Sequence, residues 1–396
     1  MKKATREQTR LHNTRIILRI IYESGPVSRA DLARLTKLTP PTVSDLVEDL
    51  LSERLISEVG FGVSGGGKPP TLLTVVDDAR LVIGLDLSEN IWRGAVIDLR
   101  GKIIRSEALQ FSNAGQPAVD QVIALIDRLL SEIPPEAFLG IGIGCPGIIH
   151  EPEGVIGRVV KYRWEELPLR KILQDHYHVP VMIANDSHVA ALAEYYFGQA
   201  KAESAVEQNP KAHSLVLLKV SDGISAGIIL SGKIYYGDGF GAGEIGHICV
   251  EPNGARCRCG HMGCLETVAS ERAVLQMARK TFRSSAELDD AQVMQKVQTD
   301  LVSGTGETQP IVNRAGEFLG LAAANIIGLL NVHQIVLAGS LSALGDALLQ
   351  PMIRVTGENA LDAMTQQTQI SISKLGNDIV QLGAAALVQQ DILGIF

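Results

Sequence analysis

An α/β protein, with a small winged helical module ahead of a two-lobed body, is the architecture that three observations on this sequence predict. The chain has 396 residues, enough for two or three domains of about 150 residues each. With 46% apolar, 20% charged and 4% aromatic residues, it can bury sizeable cores and is not globally disordered. Charge divides unevenly: residues 1–76 hold 11 Lys and Arg against 8 Asp and Glu, a net of +3, so the overall −8 leaves −11 on the remaining 320 residues. That split suggests a module that approaches a polyanion, joined to a body that does not. Beyond residue 80, apolar stretches of strand length alternate with helical periodicity, and a similar set occurs twice, as two α/β lobes flanking a cleft would require.

In the first 76 residues, Leu11, Leu18, Ile21 and Tyr22 fall on one helical face that ends at Gly25-Pro26. Ser28, three residues before Asp31, resembles a capping box opening a short helix through Ala30, Leu32, Ala33 and Leu35; Lys37-Leu38 makes the turn. Thr39 caps a third helix, Pro40 and Pro41 fit its first turn, where no N–H partner is needed, and Val43, Leu46, Val47, Leu50 and Leu51 form its apolar back. Strand-like stretches at 55–59 and 71–76 are separated by Gly60, Gly62, Gly65, Gly66, Gly67 and Lys68, a flexible wing with a cation near its end. Helical hairpins that bind no DNA share this periodicity. The wing, the hydroxyl-rich cap and the basic residues from Lys2 to Arg19 select a winged helix-turn-helix DNA-binding domain over 1–76. Its DNA contacts would be Thr39, Pro41, Thr42 and Ser44, at the helix N-terminus that enters a major groove, and Lys68 on the wing. None offers a bidentate code for a base, so no operator sequence follows.

The body divides into an expected first α/β lobe over 80–198, to which a C-terminal helix over 380–396 returns, and a second over 199–379. In the first, 81–87, 91–98 and 102–109 form a meander, followed by a helix at 119–130 and a buried strand at 139–144. In the second, strands at 214–220, 226–230 and 233–236 precede helices, including a long apolar one at 311–330, and a strand at 334–337. No short fixed repeat is present, which excludes a solenoid. Charges near the N-terminus without a following apolar core, and the lack of any run of about 18 apolar residues, argue against secretion and membrane insertion and for a cytoplasmic protein.

Five cysteines in so long a chain make no disulfide scaffold, but three fall within eight positions in Cys257-Arg258-Cys259-Gly260-His261-Met262-Gly263-Cys264. Three thiolates on a tight glycine-containing loop, with His247 ten residues before the first, suit a closed tetrahedral structural Zn²⁺ site. His261 is a rival fourth ligand. His247 is preferred because it follows the glycine-rich stretch 237–246 beside Glu244, where a metal could fix one imidazole nitrogen and leave the other facing a cleft.

Glu244-Ile245-Gly246-His247, followed by Cys257-x-Cys259-Gly-x-x-Gly-Cys264-x-Glu266, resembles the signature of the repressor, open reading frame, kinase (ROK) family, and the similarity covers nearly the whole chain, including the winged helix of the family's repressor branch. The resemblance implies an actin-like body (ribonuclease H-like, of the sugar kinase type) with a sugar between its lobes, held by Asn185, Asp186, Glu244, His247 and Glu266 and flanked by the loop Gly144-Cys145-Pro146-Gly147. These groups suit the task, since carboxylates and an amide offer paired acceptors and donors to vicinal hydroxyls. Asp186 matches the general base of the family's kinases. The nucleotide half of a kinase site is altered: the Asp-x-Gly-Gly-Thr phosphate loop corresponds to Asp86-Leu87-Ser88-Glu89-Asn90, and Gly-Thr-Gly to Ser221-Asp222-Gly223. Gly339-Ser340 keeps only part of the adenosine-side pattern. The added carboxylates, Glu89 in the first loop and Asp222 in the second, would repel a triphosphate.

The sequence therefore predicts a non-enzymatic, sugar-responsive transcriptional regulator, a repressor of carbohydrate uptake or catabolism genes. Its partners would be operator DNA and a sugar or sugar phosphate, its metal Zn²⁺, and its state a homodimer or homotetramer. An ATP-dependent sugar kinase with a fused DNA-binding module is the principal alternative; a zinc sensor and a protein-interaction scaffold are further ones.

Overall fold

The computed structural model describes residues 5–63, 69–112, 117–159, 162–198, 214–282, 287–304 and 306–396. Thr5 begins the first helix, Arg6–Ser24, with a full capping box: its side chain accepts from Gln8 N–H while the Gln8 side chain accepts from Thr5 N–H. Ile17, Leu18, Ile21 and Tyr22 are its buried face, but Leu11 is exposed, because the first two turns of the helix lie outside the packed region. Ser28 caps Arg29–Thr36, accepting from Asp31 N–H at 3.2 Å and donating its hydroxyl to the Asp31 carboxylate at 2.7 Å. Lys37 ends that helix in the left-handed region. Thr39 caps Pro40–Ser52, whose Val43, Leu46, Val47 and Leu50 are buried. The strands Ile56–Phe61 and Thr71–Val75 pair antiparallel, and a short strand the sequence did not predict, Val27–Ser28, adds to the other edge of Thr71–Val75. Lys68 lies outside the described residues.

Contacts divide the chain into two compact units that interleave in sequence: Met1–Ile143, Pro168–Ile183 and Ala384–Phe396 form one, Gly144–Leu167 and Ala184–Gly383 the other. The first therefore includes the winged module. Its sheet has the order Val181–Asn185, Phe138–Cys145, Leu81–Asp86, Ile91–Ile97, Ile103–Gln110, the last three strands being the expected antiparallel meander. The end of the C-terminal helix, Ile379–Leu393, seats the module on this unit. Arg15 donates to the carbonyls of Asp391 and Ile392 at 2.6 and 3.0 Å, and Tyr22 meets Phe396 edge to face at 5.4 Å. Arg100 lies over the Tyr22 ring and donates to the Tyr22 carbonyl at 2.7 Å.

The second unit is built on the order Lys233–Ile234, Ile224–Leu230, Leu215–Val220, Gln334–Ala338, Gln369–Ile372, antiparallel through the first three strands and parallel through the rest. The helix Asp186–Phe197, expected with residues 80–198, belongs here instead. A Cβ on Gly227 would stand 2.0 Å from the Ser187 carbonyl, so the helix lies directly on this sheet. Likewise the C-terminal helix is shared between the units, with Gly383 pressed on the Val189 carbonyl. The long apolar helix, Gln309–Leu330, is core: it pairs closely with Asp346–Asn359 at Gly316 and Gly320. A small antiparallel sheet of Ile149–His150, Val155–Val159 and Trp164–Leu167 was not legible beforehand, its strands being too short for periodicity to register.

Candidate functional site

All five residues expected at a sugar lie in the second unit. Asn185 caps the helix Asp186–Phe197 through Oδ1, which accepts from Ser187 N–H at 2.9 Å and Ser187 Oγ–H at 2.6 Å; its Nδ2 donates to the Gly147 carbonyl at 2.9 Å. Asp186, the first helical residue, is buried, and its carboxylate is 2.8 Å from the ammonium of Lys219, a side chain only 8% exposed. The helix N-terminus and the ammonium both hold an anion there. His188, one turn inside, meets the Ala242 carbonyl at 3.0 Å, and its burial lowers its pKa.

The glycine-rich loop that carries Glu244 lies against the strand Ile224–Leu230. Ala226 N–H donates to the Gly243 carbonyl at 2.7 Å, and a Cβ on Gly243 (φ +95°) would come within 1.9 Å of the Ala226 carbonyl. Burial raises the pKa of Glu244; the neighbouring His247 opposes this, and the charges of Asp186 and Glu266 add to it. Glu266 is 5% exposed and accepts from Arg272 at 2.9 Å and Arg258 at 3.2 Å. Arg258 also donates to Asp222 at 2.9 Å.

On the loop side, the ligand atoms of His247, Cys257, Cys259 and Cys264 all lie within 4.8 Å of one another. His247 Nδ1 is 3.6 Å from Cys257 Sγ, and Cys259 Sγ is 3.7 Å from Cys264 Sγ. A tetrahedron with metal–ligand bonds of about 2.3 Å has edges of about 3.7 Å, so these four could hold a metal ion. His261 stands outside the group of four, although its Nδ1 is 3.4 Å from Cys259 Sγ. The other nitrogen of His247, Nε2, faces Glu244 at 3.8 Å. Sequence reasoning singled out the four residues that the fold brings together here but missed Lys219, Arg258 and Arg272. A single lysine inside the apolar run Leu215–Val220 was the available signal, since a buried ammonium requires an anion.

The loops that correspond to phosphate-binding turns are closed by their own polar groups. In the first unit, Asp86 Oδ1 accepts from Ser88 N–H at 2.8 Å and from its hydroxyl. In the second, Ser221 N–H donates to Gly223, Ser221 Oγ accepts from Ser340 N–H at 3.1 Å, and Asp222 is bound to Arg258.

At the winged module, Thr39, Pro41 and Ser44 are exposed on the front of the third helix, whereas Thr42 is half-buried with its hydroxyl 2.8 Å from that of Thr39. Asp45 and Glu48 share this exposed front, an acidic presence the sequence reading passed over.

Residues 82–391 match the ROK family and residues 10–57 the winged helix-turn-helix DNA-binding family. The chain is 30% identical over 393 residues to the "Xylose repressor" of Caldicellulosiruptor bescii, covering 96% of each protein. It is 28% identical over 392 residues to the "DNA-binding transcriptional repressor Mlc" of Escherichia coli, covering 96% of this chain and 93% of that one. Among solved structures, a ROK family transcriptional regulator homologous to E. coli Mlc superposes with a TM-score of 0.83 at 24% identity, covering 98% of each chain. A ROK family glucokinase from Streptomyces griseus, in complex with glucose and AMPPNP, has a TM-score of 0.68 at 23% identity and covers 78% of this chain and 99% of its own. The likeness to the regulator extends over a winged helix-turn-helix joined to an actin-like, sugar-kinase-type body, and the likeness to the glucokinase is over the body's share of the chain. No described helix is long and apolar enough to cross a membrane.

Proposed function

Because this chain belongs to the ROK family, we propose that it is a DNA-binding transcriptional regulator, a repressor of carbohydrate uptake or catabolism genes controlled by a sugar or sugar phosphate. The observation that carries the reading is the full-length likeness to proteins named as transcriptional repressors, one of them a xylose repressor, which runs through the winged module as well as the body. Thr39, Pro41, Thr42 and Ser44, with Lys68 on the wing, are the proposed operator contacts, and the protein acts in the cytoplasm as a homodimer or homotetramer.

Asn185, Asp186, Glu244, His247 and Glu266 are the proposed effector ligands. Their carboxylates accept hydroxyl protons, the Asn185 amide is fixed by its cap and the Gly147 carbonyl, and the His247 ring is held from its Nδ1 side. Effector binding selects one conformation, and the spacing of paired winged modules then ceases to match, or comes to match, the half-sites. Zn²⁺ bound by His247, Cys257, Cys259 and Cys264 would supply structural cross-linking, with its four positions filled by protein.

Asp186 is not assigned a catalytic role. Its carboxylate is paired with Lys219, and Glu89 and Asp222 stand in the two loops where a kinase would cradle phosphate. The test is an operator titration with and without hexoses, pentoses and their phosphates. A change in operator affinity with at least one of them is expected; if none alters it, the reading fails.

A further inference from the structure

The third helix of the winged module, Pro40–Ser52, divides between a back and a front. Val43, Leu46, Val47 and Leu50 are buried, and Pro41, Ser44, Asp45 and Glu48, at spacings of three, four and seven from Pro41, form one exposed stripe opposite them. Neighbouring carboxylates have found arginines: Asp31 meets Arg34 at 2.8 Å, Glu58 meets Arg29 at 3.0 Å, and Asp49, on the flank of the same helix, is bound by Arg10. The side chains of Asp45 and Glu48 have no such partner among the described residues. We infer that Asp45 and Glu48 are specificity-determining residues of this helix, each selecting a cytosine in the operator. Both roles presuppose the DNA-binding reading above, which the match of residues 10–57 to a winged helix-turn-helix family supports, and are independent of the effector.

A helix that enters a major groove carries its front past phosphates as well as base edges. Duplex DNA holds one negative charge per about 1.7 Å of axis, so a carboxylate there is repelled by the backbone and gains only where a base offers a hydrogen-bond donor. In the major groove those donors are the amino groups at cytosine N4 and adenine N6; guanine presents two acceptors, and thymine an acceptor and a methyl group. Adenine sets its N7 acceptor beside the amino group, which confronts a carboxylate with a second lone pair, and cytosine does not. Cytosine is therefore the base that suits both side chains. Three residues of helix advance about 4.5 Å, close to the roughly 3.4 Å between stacked pairs, so the two carboxylates address neighbouring base pairs. The hydroxyls of Thr39 and Ser44 accept almost any edge or phosphate, whereas the acidic pair supplies selectivity by penalising every sequence without the matching donors.

Selection of bound duplexes from a randomised pool by the full chain, followed by titration of the selected half-site, tests this. The site should hold cytosine at two neighbouring positions, and replacing either should weaken binding by at least about fivefold. Asp45→Asn and Glu48→Gln preserve side-chain shape at exposed positions, so the melting temperature should not change. Each should relax one of the two positions toward adenine, whose N6 and N7 an amide meets with an acceptor and a donor. Each should also bind a duplex lacking the site more tightly, most of all at low salt, because one charge facing the phosphates is gone. A base preference identical to the wild type in either variant overturns the role of that residue and leaves DNA binding intact. An equal loss on every sequence, matched or not, overturns it as well, since it would mark a carboxylate that serves only the fold. If the wild-type chain selects no sequence, the DNA-binding reading itself falls, and both roles with it.

Discussion

At the residue scale, the ion pair of Asp186 and Lys219 shows how environment sets a side chain's task. Both side chains are about nine-tenths buried, so each charge has lost most of its hydration and depends on the other. Removing one partner strands the other. Lys219→Met should lower stability by about 3–5 kcal/mol, read as a fall in unfolding midpoint. The double variant Lys219→Met/Asp186→Asn should recover a large part of that loss, because no unpaired charge then remains buried. A double-mutant cycle whose two single losses simply add would show that the pair is not coupled. Asp186 was identified by its place in a motif, but its partner was not, since pairing across a strand and a helix more than thirty residues apart leaves no local trace. The same holds for Arg258 and Arg272 on Glu266: the sequence displays the charges, and only the fold says which ones meet.

At the scale of elements, the helices were the most legible features. Thr39 with two following prolines announces a helix start, and in the structure the Thr39 hydroxyl indeed accepts from Thr42 N–H, with Pro40 opening the helix. The long helix Gln309–Leu330 was equally plain from its apolar pattern, but its partner was not. Gly316 and Gly320 lie one turn apart, and a Cβ on either would come within 2.5 Å of the Leu348 carbonyl or 2.6 Å of the Met352 carbonyl of the helix Asp346–Asn359. Two helices in this close an embrace cannot accept a branched side chain at the contact. Gly320→Val should cost at least about 1–3 kcal/mol by overpacking, whereas the same change at Gly328, which faces open space, should be neutral or slightly stabilising, because valine is a better helix former than glycine. Parallel chemical denaturation of the two variants separates them; equal losses would contradict the close packing. The short strands at 149–167 were missed for the opposite reason: two to five residues carry too few alternations to signal a sheet.

For the whole molecule, charge and metal act across long stretches of chain. The excess of Lys and Arg in the first 76 residues and the acidic remainder were read directly from the sequence, and they coincide with a module that carries the DNA-binding signature. The cluster of His247, Cys257, Cys259 and Cys264 ties a loop with little regular structure to the strands and helices that present Glu244 and Glu266. Metal binding energy there would count as folding energy. A strong chelator, or Cys264→Ser, should therefore lower the melting temperature and abolish the sugar response. Operator binding should persist, because the winged module belongs to the other compact unit. Unchanged melting after verified metal removal would contradict a structural role for the site.

What the sequence by itself determined was local: helix starts and stops, the wing's strands, the spacing of thiolates and the sign of charge along the chain. Each depends on residues a few positions apart, where backbone geometry converts spacing directly into placement. Tertiary structure alone decided that Asp186–Phe197 sits on the second unit's sheet, that the C-terminal helix is shared between units, and that Lys219, Arg258 and Arg272 each meet a carboxylate of Asp186, Asp222 or Glu266. Those outcomes depend on which distant surfaces are brought into contact, and burial and charge pairing have no fixed interval along a chain from which they could be read.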